Sequence, residues 1–464
     1  MNDFMNRREA LGVVAAWSTS MLAARAWAAP PTQRFRIARF SADVTPPLGH
    51  PLLAGLGQPA RSIVAPLSAH GIVIFGHDDP VVIAAIHWCE IRNDAYKAWR
   101  EALAVAAGTS PSRVLLSSVH QHDAPLGDLT AQRIVAARKL EVEICDIEFH
   151  ARAVAHVATA VKKSLLDTED ATHLGLGKAK VDRVASNRRF VDPSGKIRFD
   201  RGSTTRHREG REAPEGTIDP WVKTLSFFNG KRPLATVNCY ATHPMSYYGQ
   251  GDVTCDFVGI ARRLRRQDDP GVHQIYLSGC SGNVTVGKYN DGLPLNRQIF
   301  ASRLHQGMQA AWDATQRVPF EMLNFRTRHL RLEPRSSEGH LREDYEKKLT
   351  ADSPARDQIL SALGLSWRQR VAADVPIDVP LLDFGPAQFL LLPAESYVEF
   401  QLYAQRIRPE SFVVVAGYGE CAPGYIPTEQ AREEGDSNLD TWCWVDPGSE
   451  SRMKTVIRQV LTDA

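Results

Sequence analysis

Residues 81–125 read VVIAAIHWCEIRNDAYKAWREALAVAAGTSPSRVLLSSVHQHDAP, and their order decides the fold. Val81 to Ile86 is a short apolar run, Asn93 offers an N-cap, Asp94 to Ala107 carries a helical pattern, and Gly108 stops it. Arg113 to Ser118 then returns as a strand. The same grammar recurs further along. Leu234 to Ala241 reads as strand, Phe257 to Arg266 as helix behind Asp256, and Gln274 to Ser278 as strand. Near the end, Gln388 to Leu392, Ser396 to Gln405 and Ser411 to Ala416 repeat strand, helix, strand. Strands joined through helices predict an α/β fold, a mixed and partly parallel sheet flanked by helices. No internal repeat, low-complexity tract or linker divides the chain, so residues 30–464 are expected to form one domain. Residues 334–374 read as charged surface helices around Asp344 to Leu349 and Arg356 to Leu363.

Composition narrows the function. The chain has 464 residues, 43% hydrophobic and 23% charged, which excludes long disorder and fibrous architectures. Its 55 Lys+Arg against 53 Asp+Glu leave a formal charge of +2, so no global field attracts nucleic acid or an anionic membrane. Residues 1–29 read as an export signal: Arg7-Arg8 in a run partly matching a twin-arginine motif, an apolar stretch from Ala10 to Ala24, then Ala26-Trp27-Ala28 before Ala29-Pro30. The stretch is shorter than the roughly 18 apolar residues of a span and Arg25 interrupts its end, which favours cleavage over a membrane anchor. A periplasmic or secreted protein without a transmembrane span is expected. Seven cysteines with no C-x-x-C pair exclude a disulfide scaffold, although Cys421 and Cys443 flank a loop-like stretch and leave one bridge open. Residues 183–211 hold nine Lys/Arg against three Asp/Glu and read as a solvated loop, with a phosphate or carboxylate site as the alternative.

The conspicuous polar residues fall just past apolar strands, where open α/β sheets place their ligand crevice. Val119-His120-Gln121-His122-Asp123-Ala124-Pro125 follows one strand; two histidines at i and i+2 on extended backbone would face one centre. Thr242-His243-Pro244, the small-residue loop Ser278 to Thr285, Pro393-Ala394-Glu395 and Gly424 to Thr428 follow others. The loop's glycines would let backbone approach a substrate closely. Singly, His243 reads as a structural histidine, Glu395 as a residue facing a helix dipole, and Gly279 to Gly282 as a tight turn. Together with the H-x-H they predict a hydrolytic metal site at the strand carboxyl ends, because imidazoles, a carboxylate and an open position make a catalytic zinc site. Ser281 lacks a G-x-S-x-G elbow, the H-x-H-x-D-H pattern has its Asp and third His misplaced, and no Walker A or dinucleotide fingerprint is present.

These motifs, in this order, resemble the zinc-bearing amino-terminal domain of the neutral/alkaline ceramidase family over most of the mature chain. Asp43 to Gly49 is similar to its D-[IV]-T-P-P-x-G opening, Ser118 to Pro125 to S-x-H-x-H-x-[AG]-P, Asn187-Arg188 to N-R, and Asp219-Pro220 to D-P. Thr242-His243-Pro244 resembles its second histidine segment, Gly282 to Thr285 G-[DN]-x-S, Leu392 to Glu395 L-P-G-E, and Gly424 to Thr428 its late tyrosine motif. The resemblance implies Zn2+ held by His120, His243, Glu395 and Tyr425, with His122 and Tyr425 stabilising an oxyanion, Thr285 at the family's serine, and Arg188 and Asn283 on the substrate. It implies hydrolysis of an amide bond in an N-acylated lipid or related small molecule. Asp123 replaces a small residue and is expected to add a carboxylate beside the metal that binds substrate hydroxyls. That departure, with the expected lack of the family's β domain, leaves an ester or glycosidic bond of a carbohydrate-type substrate as an alternative; a non-catalytic binding protein on the same fold is a separate one. The family's further carboxy-terminal β domain is expected to be absent from a chain ending at Ala464.

Overall fold

Val81–Ile86 is apolar at every position because both faces of its strand are covered. Val81, Ile83 and Ala85 enter one core with Ile72 and Ile74, whereas Val82, Ala84 and Ile86 enter another with Val73 and Trp88. The structure, a computed structural model, describes residues 34–462. The export signal assigned to residues 1–29 lies outside these described residues.

Three sheets carry the architecture. In the first, Val114–Ser118 runs parallel to Val81–Ile86, followed by the antiparallel strands Ser68–Phe75, Phe35–Asp43 and Glu169–Ala171. In the second, His273–Ser278 is parallel to Arg232–Tyr240, and Trp221–Asn229, His173–Lys180 and Gln316–Pro319 continue antiparallel. In the third, Phe412–Ala416 is parallel to Ala387–Leu391, with Ile377–Asp383 and Asn324–Leu330 antiparallel beyond it. Each parallel pair is linked through a helix: Asn93–Ala107, Asp256–Asp268 or Val398–Ile407. These are the three strand-helix-strand passages legible in the sequence. The expected single sheet is three, and each passage is preceded by an antiparallel hairpin strand, so the chain repeats one ββαβ unit that no sequence repeat announces.

The helix boundaries follow local chemistry. Gly108 ends the first helix at φ +68°, its N–H bonding back to the Ala104 carbonyl. Asn93 does not cap from outside; it is the first helical residue at φ +49°, and its amide donates to Asp128 and Ser366.

The last strands of the three units are tied together at their carboxyl ends. The Ser118 N–H donates to the Tyr418 carbonyl at 3.0 Å and the Gly417 N–H to the Ser278 carbonyl at 2.9 Å. The Ser278 hydroxyl donates to the Val119 carbonyl at 2.7 Å. These three bonds form a closed ring through all three units.

The basic stretch 183–211 is neither wholly solvated nor free. Arg201 is fully buried against the Phe190 ring and donates to the carbonyls of Pro214 and Ala213; burial pushes its pKa down to about 10. Backbone carbonyls and aromatic faces absorb these cations, a role that charge counting cannot show. The segment 334–374 also departs from a surface reading, because helix Ala355–Ala372 buries Ile359, Leu363 and Trp367. All seven cysteines are buried free thiols, Cys421 and Cys443 included. No helix among the described residues is long and apolar enough to cross a membrane.

Candidate metal centre and active-site cavity

The carboxyl ends of the parallel pairs converge on a cavity of about 460 Å3. Glu90, His120, His122, Arg188, Glu395 and Tyr425 line its polar part, and Leu53, Leu56, Leu126, Met245 and Trp442 supply apolar wall. His243 lies behind Glu395, fully buried.

The H-x-H is not extended. His120 has φ +72°, because its N–H and that of Val119 are held by the carbonyls of Trp88 and Ile86 at 2.9 and 2.8 Å. The two rings converge through this turn, with centroids 5.2 Å apart, not through strand alternation. Ala394 and Tyr418 adopt the same left-handed backbone, at φ +55° and +56°. Leu53 on the cavity wall does so as well, at φ +50°; each such non-glycine residue costs about 1–2 kcal/mol, and four of them near one cavity mark a constrained site.

The donor geometry fits a metal ion. The Nδ1 of His120 donates to the Cys89 carbonyl at 2.9 Å and that of His243 to the Ser281 carbonyl at 2.6 Å, since a carbonyl can only accept. Both Nε2 lone pairs therefore face Glu395 Oε2, from 3.2 Å and 2.8 Å. Two lone pairs and a carboxylate meeting in a buried place require positive charge among them. His120 Nε2 and His122 Nδ1 also lack any hydrogen-bond partner. His120, His122 and His243 form one group able to hold a metal, and Glu90, His120 and Glu395 form a second that shares His120. Tyr425 pairs directly with Glu395 in a two-residue parallel ladder, which places both on one face.

Electrostatics agree. Burial pushes the His243 pKa down to about 4 and lowers that of His122 well below the usual range, keeping both neutral. Burial opposes ionisation of Glu395, but His120 and His243 outweigh it and hold its carboxyl well below the ordinary range. Burial alone would lower His120, yet Glu395 lifts it. Tyr425 is pushed up by burial, with Arg188 opposing. Arg188 stacks 5.3 Å from the Tyr425 ring and donates to Asn438 at 2.9 Å.

Other site residues read from the sequence are placed elsewhere. Thr285 is buried with its hydroxyl donated to the Gly202 carbonyl at 2.7 Å, and does not line the cavity. Asn283 accepts from the Val398 N–H and donates to Glu399, tying the 279–283 loop to a helix start. The loop's small residues serve protein packing: a Cβ on Gly282 would lie 2.2 Å from the Glu395 carbonyl oxygen. Asp123 accepts the Gly249 N–H at 2.8 Å and faces Arg297 at 4.0 Å, so it adds no carboxylate to the cavity.

Glu90 and Tyr418 escaped the sequence reading. Glu90 lies between a strand and its helix, the position that singled out the other candidates, with Arg92 at 3.6 Å. Burial pushes its carboxyl up to about 7, Arg92 opposing and Glu395 reinforcing. Tyr418 stacks on His120 with centroids 4.3 Å apart and hydrogen-bonds Ser281 at 2.7 Å, fixing the imidazole plane. No motif marks it.

Burial also raises the Asp123 carboxyl to about 7, against the Gly249 N–H and Arg297. The folded state thus holds a proton that the unfolded chain releases near its ordinary pKa of about 3.9; this stabilisation is full below that pH and is lost as pH rises through the folded value. Between pH 5 and 8 the histidines that burial keeps neutral make stability rise with pH, and Asp123 adds a downward slope of its own, which thermal unfolding reads. Asp123→Asn should reduce that slope by up to about 1.4 kcal/mol per pH unit; an unchanged slope would show that Asp123 is ionised in the fold.

No family model matches the chain, and no curated protein matches it. Among solved structures, neutral ceramidase from Pseudomonas aeruginosa is similar with a TM-score of 0.67 and 16% identity, covering 92% of this chain and 74% of that chain. A ceramidase complexed with C2 gives 0.67 and 16%, covering 92% of this chain and 75% of that one. The chain has the fold of these ceramidases.

Proposed function

We propose that this chain, built on the fold of neutral ceramidases, is an exported zinc-dependent hydrolase that cleaves the amide bond of an N-acylated sphingolipid or a related small molecule. The observation that carries the reading is the approach of two imidazole lone pairs to one oxygen of Glu395 beneath a cavity with an apolar wall. His120, His243, Glu395 and Tyr425 would hold the ion, a set of nitrogen and oxygen donors suited to zinc. When bound, zinc supplies Lewis acidity, polarising a carbonyl and making water nucleophilic near neutral pH.

The chain's own groups do the rest. Neutral His122 has an unpartnered ring nitrogen beside the cluster and can donate to a carbonyl oxygen as it gains charge. Arg188, held over Tyr425 and tied to Asn438, presents fixed positive charge to the same region. Each such donor typically contributes about 3–4 kcal/mol to the transition state. The leucines, Met245 and Trp442 give an acyl chain an apolar surface and exclude water. The carbohydrate alternative loses the support it drew from Asp123, which is engaged outside the cavity.

The test is metal content and hydrolysis of a short-chain ceramide analogue on one preparation, comparing wild type with His120→Ala. About one zinc per chain, with metal and turnover both lost in the variant, is the expected outcome. Full turnover without metal would overturn the proposal.

A further inference from the structure

A separate cavity of about 200 Å3 opens where strands of the first and second sheets meet helix Asp256–Asp268. Arg39, His70, Arg262, Arg266, His273 and Gln274 line it, and none of these belongs to the metal cavity. Arg262 decides its chemistry. The residue is only 4% exposed, its Nη1 reaches the Gln274 carbonyl no closer than 3.4 Å, and its Nε has no partner. Among the described residues no carboxylate pairs with it. Burial pushes its pKa down to about 10, and its charged neighbours Arg263 and Arg266 push the same way. Arg39, by contrast, is committed to Glu169.

Buried charge is normally paired, and an uncompensated guanidinium is a standing cost to the fold. Around it, His70 Nδ1 and His273 Nε2 are also buried without partners. Burial first, then the arginines, lowers both imidazoles, which are therefore neutral hydrogen-bonding groups. The same cations exclude a metal ion here, although three histidines, His70, His87 and His273, lie close together with centroid separations of 5.5 and 5.9 Å. A carboxylate has too few oxygens for this many donors, whereas a tetrahedral oxyanion can meet two guanidinium forks and ring nitrogens together. Arg266 and Gly271 are exposed at the rim, so the cavity is open to solvent.

We infer that this cavity binds a phosphate-type oxyanion, clasped by Arg262 and Arg266 and bordered by His70 and His273. The phosphate can be free or carried on a lipid headgroup. The inference stands independently of the metal centre.

Calorimetric titration of the metal-loaded full chain with inorganic phosphate tests it. One saturable site is expected, weakened at least roughly tenfold in Arg262→Gln and several-fold in Arg266→Ala. The exposed Arg266 can be replaced without disturbing packing, so this variant keeps the test valid if Arg262→Gln misfolds. Arg152→Ala, on a distant exposed helix face, should bind as wild type. Cosedimentation with phosphatidylcholine vesicles containing phosphatidic acid separates the sources. Capture lost in Arg266→Ala assigns lipid phosphate, and phosphate binding without vesicle capture assigns the free ion. Absence of both, or equal binding in wild type and Arg266→Ala, overturns the inference.

Discussion

Glu395→Gln is expected to strip the metal and reduce turnover of an N-acyl substrate by roughly a thousandfold or more. The carboxylate faces both imidazole lone pairs, with its Oε2 at 3.2 and 2.8 Å from them. A carboxamide presents an NH2 group or a neutral oxygen there, so neither the charge nor the ligand survives. Glu90→Gln makes the informative contrast. Glu90 meets His120 at Nδ1, the nitrogen turned away from Glu395, at 4.0 Å. It also meets Glu395 directly, and as the carboxylate beside the proposed ligands it should lower metal affinity by only about 10–100-fold. Metal analysis and kcat/KM on both variants decide the matter; equal effects would remove the distinction between a ligand and a supporting carboxylate.

The second large effect is expected from adding one carbon. In Gly282→Ala the new Cβ would sit 2.2 Å from the Glu395 carbonyl oxygen and 2.8 Å from Tyr397 Cδ1. The first obstacle is backbone, so no rotamer change relieves it, and Glu395 must move. Overpacking of this kind costs about 1–3 kcal/mol. Displacement of the carboxylate should also weaken metal binding, measured by competition with a chelating dye. Gly271→Ala is the control, since a Cβ there meets nothing within 4 Å. If both variants unfold at the same denaturant concentration, the close approach carries no energy.

The parallel passages were legible because a strand buried on both faces leaves an uninterrupted apolar run, as Val81–Ile86 does, and the helix after it announces itself by period and a glycine stop. The hairpin strands before each passage were not. Trp221–Asn229 mixes Lys223, Thr224 and Ser226 with apolar residues, and its identity as a strand comes from partners on both sides. Three sheets in place of one follow from the same blindness, since strand order is set by contacts far apart in sequence. At the site, spacing and strand ends identified His120, His122, His243 and Glu395, which the fold brings together. The route was misjudged at His120, where tertiary hydrogen bonds override the extended backbone assumed for an H-x-H. Asp123, Asn283 and Thr285 stand beside the right residues in sequence but are turned to other work by Gly249, Val398 and Gly202. Glu90 was within reach of the strand-end rule; Tyr418 was not, because stacking on an imidazole leaves no trace in one sequence.

The ring of bonds joining Ser118, Tyr418, Gly417, Ser278 and Val119 has a consequence for the growing polypeptide. Its first and last members are separated by 300 positions, so as the chain leaves the ribosome His120 emerges long before the backbone that braces it. Until the third ββαβ unit has docked, the turn at His120 lacks the Ser118–Tyr418 tie, the stacking ring of Tyr418 and the carboxylate of Glu395. Truncated or nascent chains should therefore hold no ion tightly, however well their first two units fold. On the proposed metal reading, ion acquisition would then be a late event that checks the completeness of the fold.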